Sequence, residues 1–134
     1  MSTKIFVNLP VRDLQRSVDF FTALGYSFNA QFTDETATSM TVSEDIIVML
    51  LVEARFKDFI TKQVCDTSTH AEAILGLSAD SRDAVDELVD KALAAGGKPS
   101  GEPEDHGVMY GRGFEDLDGH LWSIIWMDPG MIES

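Results

Sequence analysis

Apolar and polar positions alternate along KIFVNLPV, so residues 3–9 are expected to form a strand, closed by Pro10, which has no N–H to give to a ladder. The period then changes. In DLQRSVDFFTALG, Leu14, Val18, Phe21 and Leu24 recur at helical spacing behind Asp13, whose carboxylate suits an N-cap, and Gly25 stops the run. Three β-like runs follow, YSFNAQF at 26–32, TATSMTV at 36–42 and DIIVMLLV at 45–52, with polar turns between them. The order is βαβββ.

The second half repeats it. EAILGLSAD predicts a strand at about 73–79. A helix follows over 81–95, with Val85, Leu88, Val89 and Ala92 on one face and Gly96 and Gly97 beyond its end. Short strands are expected near 98–101, 108–114 and 120–127, the last two joined by a turn through Asp118 and Gly119. Asp13, Val18 and Asp19 match Asp80, Val85 and Asp86 at a constant offset of 67, so the repeat keeps register at the corner where strand gives way to helix. The pattern predicts an α+β chain of one domain over 1–134: module one at about 1–53, a connector at 54–72 and module two at about 73–128. The connector starts as a short helix through Phe56, Phe59 and Ile60 and continues as a polar link.

Charge narrows the partners. A net charge of −13 and a pI near 4.3 repel phosphate backbones and anionic lipid, so neither nucleic acid nor membrane is expected as a partner. Most of these carboxylates serve solubility, although a cationic ligand would be drawn in. The single cysteine, Cys65, excludes an internal disulfide and suits a reducing compartment. No apolar run is long enough for a membrane span, and residues 1–20 lack a secretory pattern; a cytoplasmic location is expected.

With its two βαβββ units, the corner VRDLQRSVDFFTALGY and the terminal hairpin FEDLDGHLW, the chain resembles the glyoxalase, bleomycin-resistance and extradiol-dioxygenase superfamily, the vicinal oxygen chelate fold. The resemblance covers nearly the whole length. It implies strands curled into a cup-like mixed sheet, helices on the outer face and a ligand in the hollow; its catalytic members hold a divalent metal there with His, Gln or Glu. Transferred by strand parity, those ligand positions fall on Phe6 (with Asn8 on the same face), on Met49 or Leu51, on Ile74 and on Ser123. None of these is a strong ligand, so no metal and no cofactor is expected. Trp122, Ile124 and Trp126 are expected to face the helices, and Leu121, Ser123 and Ile125 the cup.

Other chemistry is thin. His70, His106 and His120 show no zinc spacing, and a Cys65–His70 nucleophile pair has nothing to orient the base. Glu102, Glu104, Asp105, Glu115, Asp116 and Asp118 cluster near the last hairpin, where turn formation explains them better than paired acid–base catalysis. Tyr110 and Arg112 share one face of the penultimate strand; in the cup they would bind an anionic or aromatic ligand, and otherwise Arg112 is an exposed strand residue. Gly111 and Gly113, beside them, mark a close approach or a bulge.

The resulting expectation is a metal-independent superfamily member that binds, and sequesters, a small organic molecule in an apolar cup. Its lining residues are Phe6, Asn8, Met49, Ile74, Ser78, Tyr110, Arg112 and Ser123. The alternative is a glyoxalase-like lyase, isomerase or dioxygenase whose divalent metal is held at unaligned positions. Strand edges left over from each module predict a homodimer.

Overall fold

The computed structural model describes residues 2–132, and the chain divides into two units, Met1–Cys65 and Asp66–Ser134. Each is α+β, built on its own mixed sheet. In the first, the order is β1 (Ile5–Val11), α1 (Leu14–Ala23), β2 (Ser27–Asn29), β3 (Ala37–Thr41), β4 (Ile46–Val52) and α2 (Glu53–Lys57). The strands lie side by side as β1-β4-β3-β2. β1 runs parallel to β4 and the other pairs are antiparallel. Alternation sorts the faces: Leu9, Val11, Met40, Val48 and Leu50 are buried together with Phe20 and Phe21 of α1, which packs on β4, and with Leu24 just after it. Burial of each large side chain contributes about 1.5–3 kcal/mol.

Three local expectations are corrected here. β1 runs through Pro10 to Val11, because it pairs with β4 alone and an edge strand tolerates a residue without an N–H. The predicted strand at 26–32 ends at Asn29, whose side-chain oxygen accepts from Gln31 N at 3.0 Å and turns Ala30–Phe32 into a short 3₁₀ segment. The connector helix is shorter than expected, ending at Lys57 and leaving Phe59 exposed with Arg55 over its ring.

The second unit continues with β5 (Ile74–Ser78), α3 (Arg82–Ala94), β6 (Lys98–Pro99), β7 (Glu104–Asp105), β8 (Met109–Glu115), β9 (Leu121–Met127) and α4 (Pro129–Ile132). Its sheet is ordered β5-β9-β8-β6, with β7 also on β8. Again the first strand is parallel to the last and the hairpin β8–β9 is antiparallel. Val85, Val89 and Ala92 of α3 are buried along with Phe114, Trp122 and Ile124, the Phe114 and Trp122 rings stacking at 6.3 Å. The two corners are capped differently. Asp13 caps α1 by accepting from Arg16 N, whereas α3 is capped by Ser81, one residue after the Asp80 that the repeat offset matches to Asp13. Among the described residues no helix is long and apolar enough to cross a membrane.

Candidate functional site

β8 and β9 decide which residues of the second unit face outward. Phe114, Trp122 and Ile124 are buried on the α3 side, so Leu121, Ser123 and Ile125, alternating with them, stand on the opposite face. Register extends that face across the sheet: Ile74 pairs with Leu121, Gly76 with Ser123 and Ser78 with Ile125, while Gly113 and Gly111 flank Ser123 and Ile125 on β8. Two hollows open here. One, of about 280 Å³, is lined by Ile74, Met109, Leu121 and Ile125 with Ser100, Ser123, Glu102 and Glu104. The other, of about 420 Å³, is lined by Gly76, Ser78, Asp80 and Met127, and shares Ile125 with the first. An apolar floor with few polar groups is the usual chemistry of a small-molecule site.

Of the residues the sequence assigned to the ligand, Ile74, Ser78 and Ser123 therefore occupy this one face. Ile74 is 69 % exposed, unusual for an isoleucine. Phe6, Asn8 and Met49 belong to the first unit and share its face turned away from α1, Asn8 and Met49 being register partners. Phe6 is 60 % exposed, and Asn8 donates from Nδ2 to Phe6 O at 3.2 Å. Leu51, the other fourth-strand candidate, is buried.

The side chains of Tyr110 and Arg112 turn to the α3 side of the sheet, although Arg112 also borders the smaller hollow. Tyr110 donates its hydroxyl to Asp86 Oδ1 at 2.6 Å, and Arg112 Nη1 reaches Asp86 at 2.9 Å and Asp90 at 3.0 Å. The Tyr110 hydrogen bond, followed by Arg112, holds the Asp86 carboxyl below the usual range, and the same bond raises Tyr110. Arg82 closes the cluster, stacking over Tyr110 and Trp126 while forking onto Asp105 at 2.8 Å to each oxygen. That cluster ties β8 to α3.

The carboxylates of the hairpin turn are structural too. Asp116, buried, accepts from Asp118 N, His120 N and Trp122 Nε1 at 2.9–3.0 Å. Burial pushes its carboxyl above the usual range, although the His120 charge and these hydrogen bonds oppose the shift. His120 is 2 % exposed, and its Nδ1 meets Glu72 Oε1 at 2.5 Å. Thr67 donates its hydroxyl to Asp118 O. His70 and His106, by contrast, are exposed.

The metal positions of the resembled family do not fit an ion. Phe6 and Ile74 have no donor atom, Met49 offers a thioether, and Ser123 a neutral hydroxyl, whereas a divalent site needs several carboxylate or imidazole groups. Among the described residues, no group of three His, Cys, Asp or Glu is placed to hold an ion.

Sequence reasoning missed Gly76, Met109 and Ser100. Gly76 was findable, since it shares parity with Ile74 and Ser78; Ser100 was not, because its position follows from the β6 turn.

Comparisons with known proteins agree with this architecture. The model of the Glyoxalase/Bleomycin resistance protein/Dioxygenase superfamily matches residues 5–124. A hypothetical protein of S. aureus, SA1046, is similar in structure at 29 % identity, with a TM-score of 0.78 and coverage of 94 % of this chain and 95 % of that one. A family enzyme from Burkholderia phytofirmans PsJN is 16 % identical (TM-score 0.77, 94 % and 99 % covered). The fosfomycin resistance protein FosX from Mesorhizobium loti is 13 % identical (TM-score 0.70, 100 % and 99 % covered). No curated protein matches the sequence.

Proposed function

We propose, from the premise that the chain belongs to the glyoxalase/bleomycin resistance protein/dioxygenase superfamily, that it binds and sequesters a small organic molecule without a metal ion. The site is the face of the second sheet that carries Leu121, Ser123 and Ile125. One observation carries this reading: a hydrocarbon side chain at Ile74 and a neutral hydroxyl at Ser123 fill the second unit's positions where the catalytic relatives keep charged or imidazole donors, yet the hollow that the two residues line is open. Retention of the hollow without the donors fits binding better than metal-assisted turnover.

Electrostatics favours a cation. The chain carries −13 overall, and Glu102, Glu104 and Asp80 line the hollows together with Arg112, whose charge is paired with Asp86 and Asp90, so a cationic guest is favoured there over an anionic one. Drugs of the bleomycin type have this charge. Titration of bleomycin by calorimetry, with growth of expressing cells on the drug, tests the reading: heat of binding and protection are expected, and the absence of both contradicts it.

The chain is further proposed to act as a homodimer. β1 and β5 end their sheets, and Ile5, Phe6 and Ile74 on them are 54–69 % exposed.

A further inference from the structure

Gly76 has no explanation within the fold. Its backbone is not in the left-handed region, so conformation does not require glycine. Space does not require it either: a Cβ built there meets nothing nearer than Ser123 O at 4.0 Å. Its neighbour across the sheet differs, because a Cβ on Gly113 would stand 2.7 Å from Ser100 O, and close packing accounts for that glycine. Glycine inside a strand weakens it, and where neither turn nor packing demands one, it marks a surface kept bare for something that approaches closely.

What is bare is a strip of floor. Gly76 and Ser123 stand side by side on β5 and β9 with nothing larger than a hydroxymethyl group on them, whereas Ser100 covers the next position, Gly113 on β8. With strands about 4.8 Å apart, the bare strip reaches roughly 5 Å from β5 to β9. Along β9 it is bounded by Leu121 on one side and Ile125 on the other, about 13 Å apart from Cα to Cα, so the gap between their side chains is about one aromatic ring wide. The two hollows adjoin at this strip, one lined by Ser123 and the other by Gly76.

We propose that Gly76 is a specificity-determining residue, leaving the Gly76–Ser123 backbone bare so that a flat ring of the ligand lies face-down across β5 and β9, between Leu121 and Ile125. The inference rests on the proposed binding at this face and names the shape of guest it takes: a planar ring system. A bulky or purely linear guest gains nothing from a bare floor.

The test compares a flat cation with a slim one. Proflavine, a fluorescent planar cation, and n-hexylammonium are titrated into the native full-length chain and into Gly76→Val. The valine variant is expected to keep or raise the thermal midpoint, to weaken proflavine by at least about tenfold, and to leave n-hexylammonium within about twofold. Gly76→Ala, with its single methyl in open space, serves if the valine variant does not fold; about a threefold loss of proflavine alone is expected. Unchanged proflavine affinity overturns the proposal, and so does equal weakening of both probes, which leaves the binding face itself standing. A change of mass in light scattering on substitution also overturns it, since Gly76 would then serve packing against another chain. Binding of neither probe to the native chain removes the proposed function together with this inference.

Discussion

Gly119 shows how much one backbone position carries. Its φ is +82°, and a Cβ added there would lie 2.9 Å from Thr67 O, so any side chain meets both a strained conformation and a backbone oxygen. Gly119→Ala is expected to destabilise the chain by about 1–3 kcal/mol in chemical denaturation, against an indifferent result if the 66–72 segment gave way freely. Asp86 gives the acid side of the stability profile. Its folded carboxyl is held below its unfolded value, so its contribution is present above the ordinary carboxylate range and is lost as pH falls through and below that range. Asp86→Asn is expected to flatten the acid limb of a stability-versus-pH curve while leaving ligand affinity unchanged. Asp116 has the opposite sign. Its raised carboxyl makes the folded chain the better proton binder, so its contribution falls as pH rises from the ordinary carboxylate range through the raised one.

At the scale of elements, the strands and helices were legible wherever one parity or one helical stripe was apolar. β4 and β9 read correctly for that reason, as did the division of β9 into a Trp122–Ile124 face and a Ser123 face. β8 did not. In MYGRGFE one parity holds glycines, which have no side chain to report burial, so the face of Tyr110 and Arg112 stayed ambiguous; Phe114, buried and on their parity, was the available signal. β7 was illegible because two charged residues, Glu104 and Asp105, take strand form only through pairing with Gly111 and Tyr110. The cap of α3 is Ser81, accepting from Ala84 N, and not the Asp80 that the repeat matches to Asp13; both residue types cap well, so composition alone does not choose between them. Arg112 supports one element by another. Arg112→Ala is expected to cost about 1 kcal/mol, measured by urea denaturation, since its partner Asp90 is exposed and Asp86 only half-buried.

For the molecule as a whole, family membership was legible from the corner and hairpin motifs, because those features are mechanical and local. The ligand was not, because a binding floor is defined by what side chains leave empty, and sequence patterns record what they fill. Assembly is the first prediction at this scale. Light scattering is expected to give the mass of two chains, and Ile74→Lys, which places a charge on an edge strand, to shift it towards one. The account stands most directly on the Ser123 face of the second sheet being without a metal. Elemental analysis of the chain purified without chelator is predicted to find nickel, zinc, iron and manganese each far below one ion per chain. Near-stoichiometric metal that Ser123→Ala releases would contradict it.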